Sequence, residues 1–192
     1  MVEAFYKIGA YHEAGHAVMG YYSGFEIQEM SLLINDPGTG YTKFDYGKDN
    51  MLITAILNVK KDPNIFNYLS KEVKARTPQA TAKICFTLIG GPAAEAISKY
   101  GIDYKGDMDF GIKDPDAAGI EAAEYVMSVI DSSHSTSYIQ DKIIGITEIL
   151  RTDKFWKMIT VLAEKLLASK SLSKNEIESI FASHKFEKHP DV

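Results

Sequence analysis

The sequence predicts a mainly α fold with a small β-hairpin or sheet beside its first helix. Apolar residues recur at helical spacing over most of the chain, for example Ile139, Ile143, Ile146 and Leu150, then Phe155, Ile159, Leu162 and Leu166. One stretch, residues 25–35 (FEIQEMSLLIN), alternates as a strand does, and Asp36-Pro37-Gly38 follows it as a turn. The 192 residues, 45% hydrophobic and 24% charged, suffice for one sizeable core. One domain over 1–192 is therefore expected, with a motif-bearing region at 1–131, C-terminal helices at 132–183 and a polar, frayed tail at 184–192.

In chain order, residues 10–23 read as a helix closed by Gly24. Residues 25–35 and 40–46 read as the two arms of a hairpin. Residues 50–60 and 65–75 are helix candidates separated by Asp62-Pro63-Asn64. Thr77, as N-cap, and Pro78, in the first turn, open a stronger helix running to Tyr100. Its middle, Gly90-Gly91-Pro92-Ala93-Ala94, is either a kink or a surface of small residues that admits a close neighbour. Residues 101–113 read as loop. Asp114 caps a helix that begins at Pro115 and ends near Asp131, and 132–136 form a polar break. Helices at 138–150 and 153–169 follow. Ser173-Lys174-Asn175-Glu176 has the pattern of a capping box before a last helix.

Composition excludes several classes. A net charge of −5 with no basic cluster argues against a nucleic-acid binder. Cys85 stands alone in an apolar run, so it reads as a small buried hydrophobe, with no disulfide framework. Residues 1–11 include Glu3 and Lys7 and do not read as a signal peptide. No window has the ~20 uninterrupted apolar residues of a membrane span. The expectation is a soluble, cytoplasmic protein.

The most informative segment is His12-Glu13-Ala14-Gly15-His16. On a helix, His12 and His16 lie one above the other and can direct both imidazoles at one metal ion. Glu13 then projects beside that ion, where a carboxylate can act as general base on a water activated by the metal. The pattern points to a zinc peptidase, with Zn²⁺ as cofactor and peptides or unfolded protein segments as substrate.

Four stretches together resemble the peptidase domain of FtsH-type zinc metalloproteases, the membrane-linked AAA proteases. Residues 10–18 are close to that family's zinc motif. Gly40-Tyr41-Thr42 is similar to its edge strand near the cleft. Leu88-Ile89-Gly90-Gly91-Pro92-Ala93-Ala94-Glu95 resembles its Gly-Gly-Arg-Ala-Ala-Glu segment, with Pro92 in place of arginine. Leu162-Ala163-Glu164-Lys165-Leu166-Leu167 and the residues after it resemble its closing helices. The sequence departs from the family in having neither a Gly-x-x-x-x-Gly-Lys-Ser/Thr phosphate loop nor membrane spans. As a lone chain it is thus expected to work without ATP, with a separate ATPase chain as a partner to be considered. Related domains form six-membered rings; a homo-oligomer, a dimer and a monomer all remain open.

The resemblance implies a third ligand, an aspartate opening a helix after the Gly-Gly segment, and catalytic zinc sites commonly use three protein ligands. Distance from Glu95 favours Asp109. Helix context favours Asp116, in a first turn beside the small residues Ala117, Ala118, Ala122 and Ala123. Asp107 is a further candidate, and only one of the three is expected to ligate. Glu95 reads either as a carboxylate orienting a ligand histidine or as a helix-surface acid. An extended peptide would pair with the edge strand around residues 40–44. His134 reads as surface loop, His184 and His189 as solvated tail, and Trp156 as core. The rival reading is a zinc-holding but inactive peptide-binding or regulatory protein. Retention of Glu13 weighs against it, because a structural site needs no carboxylate between its histidines.

Overall fold

A computed structural model describes residues 2–36, 38–104, 115–130 and 137–189. They form eight α-helices, two short 3-10 turns and a three-stranded antiparallel sheet. The mainly α fold with a small sheet is therefore as the sequence predicts.

Helix α1 (Val2–Tyr22) lies at the centre, with Ala10, Ala14, Ala17, Val18 and Met19 fully buried. It begins at Val2 rather than residue 10, because its polar first turns are held by tertiary contacts. The Tyr6 hydroxyl donates to the Ile34 carbonyl at 2.6 Å, and the Lys170 ammonium lies 4.5 Å above the Tyr6 ring. Gly24, at φ +94°, ends the helix. The Phe25 N–H donates to Gly20 and the Gly24 N–H to Tyr21, so two carbonyls of the last turn are satisfied in a Schellman closure.

Strands β1 (Glu26–Leu32) and β2 (Gly40–Asp45) form the expected hairpin, pairing Met30 with Thr42 and Ser31 with Tyr41, with an irregularity between Ile27 and Glu29. The first arm stops at Leu32, and the rest of the alternating run is spent on the turn. A third strand, β3 (Ser171–Ser173), pairs with the other side of β1. Three residues are too few to leave a periodic signal; the left-handed Lys170, at φ 67°, turns the chain into it.

Helix α2 (Asn50–Asn58) follows, but 65–75 is not one helix. A 3-10 turn at Ile65–Tyr68 gives way to extended backbone at Leu69 and then to the single-turn α3 (Lys71–Lys74). Ser70 interrupts the run by accepting a hydrogen bond from the Val73 N–H, as an N-cap does. Helix α4 (Thr77–Tyr100) has Thr77 inside it rather than as N-cap. The turn from α3 enters α4 directly, and the Thr77 hydroxyl donates back to Lys74 at 2.6 Å.

The small residues of α4 are explained by close approach. A Cβ on Gly15 would lie 2.2 Å from the Gly90 carbonyl oxygen, and one on Gly90 would lie 2.7 Å from that of Gly15. Here α1 and α4 meet backbone to backbone.

Helices α5 (Pro115–Ile130) and α6 (Ser137–Arg151) pack on α4. Helix α7 (Asp153–Ser169) covers another face of α1, where Trp156, half-buried, stacks on Tyr11 at 5.5 Å. Helix α8 (Lys174–Ser183) starts with the expected capping box between Ser173 and Glu176. The tail departs from expectation. Through His189 it is docked rather than frayed: Phe186 is buried against Phe155 and Phe181, and the His189 N–H donates to the Tyr22 carbonyl at 2.8 Å. His184 is exposed, as expected, whereas the half-buried His189 ring packs on Tyr22. The expected cap at Asp114, the polar break with His134, and residues 190–192 lie outside the described residues.

The two classes of helical glycine predict opposite responses to alanine. Gly15→Ala should destabilise by about 1–3 kcal/mol, since overpacking outweighs the helix propensity gained. Gly145→Ala in α6, where an added Cβ meets nothing within 4 Å, should stabilise by about 0.5–1 kcal/mol. Urea denaturation of both variants checks this; a neutral Gly15→Ala would contradict the backbone contact.

Candidate metal centre

The α1–α4 contact determines where the two histidines point. His12 and His16 sit one turn apart on α1, with ring centroids 4.7 Å apart and planes at 80°. The His16 Nδ1–H donates to the Thr87 carbonyl of α4 at 2.8 Å. A carbonyl only accepts, so the neutral ring must carry its proton on Nδ1 and its lone pair on Nε2. The His12 Nδ1–H donates to Glu95 Oε2 at 2.8 Å, which fixes the same tautomer. Gly91 gives His16 its room: a Cβ there would lie 2.3 Å from His16 Nε2.

Asp116, in the first turn of α5, completes the cluster. Its Oδ2 lies 3.1 Å from His12 Nε2 and 3.0 Å from His16 Nε2, and the two Nε2 atoms are 3.0 Å apart. With both Nδ1 positions protonated, three lone pairs face one another across about 3 Å. Such a set repels itself unless a cation, a proton or a metal ion, lies between. Tetrahedral zinc, with bonds of about 2.0–2.1 Å, would hold its ligand atoms about 3.3 Å apart. The donor set and spacing fit a metal ion.

Glu13 is buried beside the cluster, 5% exposed. Its Oε2 accepts a hydrogen bond from the Thr42 hydroxyl of β2 at 2.7 Å. These groups line an open cleft of about 670 Å³, with Gly38, Thr39, Gly40 and Tyr41 on the hairpin side and Leu88, Phe44 and Tyr46 among its apolar walls.

The electrostatics of the metal-free cluster follow from this packing. Burial disfavours a charged His12, but its hydrogen bonds to Asp116 and Glu95 and the nearby carboxylates overcome this and raise it to about 10. His16 is also raised, against its burial, chiefly by the charge of Asp116 and the hydrogen bond to it. Burial pushes the Asp116 carboxyl up, yet the two imidazoles outweigh it and hold the group well below the usual range. The hydrogen bond from His12 brings Glu95 down to about 2. Burial pushes the Cys85 thiol up to about 12, which suits an inert hydrophobe.

Of the aspartates considered from sequence, Asp116 meets the histidines; Asp107 and Asp109 lie outside the described residues. Glu95 is the partner of His12 and also pairs with Lys99 one turn on. Three contributors escaped the sequence reading. The Thr87 carbonyl is a backbone group and leaves no mark in a sequence. In the sequence Thr42 reads only as part of an edge strand. Gly91 reads there as one of a run of small residues that admits a close neighbour, and asking which α4 residue must face a histidine points to its place against His16.

A mainly helical fold here gathers two histidines and a carboxylate in an open cleft, a group that could hold a metal ion. No family model matches the chain. It is similar to the ATP-dependent zinc metalloprotease FtsH 2 of Thermoanaerobacter sp. (strain X514), at 26% identity over 187 residues. The match covers 91% of this chain and 32% of that protein, so the chain spans about a third of the length of that curated relative. Among the described residues no helix is long and apolar enough to cross a membrane.

The cluster predicts a two-sided pH dependence for the metal-free protein. His12 is raised from 6.5 to about 10, so its contribution to stability is complete below 6.5 and is lost as pH rises through about 10. Asp116 is lowered from 3.8, so its contribution is present above 3.8 and lost on acidification. These are one interaction seen from both ends. The stability gap between wild type and Asp116→Asn should be widest between about pH 4 and 6.5. Denaturant titrations of both proteins with chelator present, from pH 3 to 10, measure the gap; one that widens above pH 8 would refute the account.

Proposed function

We propose that the chain is a zinc-dependent peptidase domain that hydrolyses peptides or unfolded protein segments, with Glu13 as general base. The observation that carries this reading is the convergence of His12 Nε2, His16 Nε2 and Asp116 Oδ2, each imidazole anchored through its other nitrogen, beside a buried carboxylate. The distant likeness to a zinc metalloprotease supports it.

In this reading His12, His16 and Asp116 hold the ion, while Glu95 and the Thr87 carbonyl keep the imidazoles in the ligating tautomer. Zinc, when bound, supplies Lewis acidity that polarises a carbonyl and acidifies water. Glu13 takes a proton from the attacking water and returns it to the amine that leaves when the C–N bond breaks.

Strand β2 offers a seat for the substrate. The Leu33 N–H donates to the Thr39 carbonyl, so residues 31 and 41 form the next hydrogen-bonded pair in this register. The backbone groups of Gly40 and Thr42 therefore face away from β1. Because β2 is an edge of the sheet and lines the cleft, an extended peptide can pair there through its main chain. Main-chain pairing reads little side-chain identity, which suits a broad substrate range.

Mass spectrometry of the native protein should find one zinc per chain in both wild type and Glu13→Gln. Cleavage of casein or quenched peptides should fall by roughly 10²- to 10⁴-fold in the variant. A chelator should abolish wild-type cleavage, and added zinc should restore it. Equal cleavage by both proteins removes Glu13 as base. A wild type that holds zinc but cleaves nothing in a broad peptide library favours the rival binding role.

A further inference from the structure

One polar side chain in the cleft has no part in the scheme above. Thr42 Oγ1 lies 2.7 Å from Glu13 Oε2 and 3.2 Å from the Glu13 carbonyl oxygen. A hydroxyl has one proton to give, and the carboxylate oxygen is both nearer and the stronger acceptor. Two residues along the same face of β2, Gly40 leaves room for the same side chain: a Cβ there would lie 2.8 Å from Glu13 Cγ and 3.1 Å from Oε1. Alternate residues of a single strand thus serve Glu13: Gly40 leaves its stem space, and Thr42 holds one oxygen. Among the described residues no other group bonds its carboxylate, which leaves Oε1 to take a proton.

We propose that Thr42 is a positioning residue for Glu13: from the edge strand it fixes the carboxylate and occupies one oxygen, so the strand that seats the peptide also sets the base. The inference rests on the peptidase reading and deepens it. The need for such a tether is electrostatic. Asp116 and Glu95 place two further carboxylates around the histidines, and an untethered Glu13 would relax away from them towards water. Because the Thr42 backbone faces the cleft while its side chain faces Glu13, a peptide paired to β2 would be registered against the base through one residue.

The test uses the zinc-loaded chain with Thr42→Val, which keeps the shape and loses the donor, and Thr42→Ser, which keeps the donor. Thr42→Val should lower kcat roughly 10- to 100-fold, with KM within about twofold. Its zinc content and melting temperature should match wild type, and Thr42→Ser should regain kcat to within about threefold of wild type. Crystal structures of the zinc-loaded wild type and Thr42→Val should show the Glu13 carboxylate displaced in the variant. Wild-type kcat in Thr42→Val, equal losses in both variants, or an unmoved Glu13 would each overturn the assignment. If the zinc-loaded wild type cleaves nothing, the peptidase reading falls, and the crystal comparison alone then decides whether Thr42 sets Glu13.

Discussion

The site depends on a steric constraint: α1 and α4 approach until their backbones touch at Gly15 and Gly90. That approach costs two glycines inside helices, each about 1 kcal/mol poorer than alanine there. It brings the Thr87 carbonyl and the Glu95 carboxylate of α4 within hydrogen-bond reach of His16 and His12. One turn of wider separation would leave both rings free to rotate and either nitrogen free to carry the proton. Gly91 extends the same constraint, since a side chain there would occupy the space of the His16 ring. The run of small residues in α4 is therefore better understood as the floor of the site than as a weakness in the helix.

Electrostatics sets a second condition. His12, His16, Asp116, Glu95 and Glu13 share a partly buried volume in which unscreened like charges are costly. Three of the five are carboxylates. Lys99 already pairs with Glu95, but fixed tautomers turn the Nε2 lone pairs towards the Asp116 oxygen, so positive charge is favoured between these three atoms. Without metal, protons meet the need, which is why His12 is raised although burial opposes it. A divalent ion would meet it without protonating either ring. This demand for positive charge follows from geometry and charge together and from neither alone.

Much of this was legible in the sequence. The five residues from His12 to His16 carry a helical spacing that only one face can satisfy, and the periodic runs at Ile139–Leu150 and Phe155–Leu166 gave helices close to their observed limits. Elements set by long-range contact were less legible. The polar start of α1 is helical because Tyr6 and Lys170 engage it, and the tail is ordered because Phe186 finds Phe155 and Phe181. Residues 65–75 failed for a local reason, as Ser70 offers the backbone a cap in mid-run. At the site, the choice of Asp116 needed the packing of α5 on α4, which no spacing along the chain reveals.

Among the described residues the C-terminal helices lend no side chain to the cleft, yet the cleft requires them. Helix α1 is buried on several faces, and α4 covers only the one that bears the histidines. Leu162, Ala163 and Leu166 of α7 are fully buried in the core that encloses α1, while Phe155 and Trp156 pack on Tyr22 and Tyr11. Strand β3 then joins α7 to the free side of β1, so the sheet carrying Thr42 is braced from the end of the chain. Without this bracing, the apolar faces of α1 and of β1 would meet water, at about 25 cal/mol for each Å² exposed. Helix and strand would then lose the fixed relation that places Glu13 against Thr42. The site is assembled from the first two thirds of the sequence and held in register by the last.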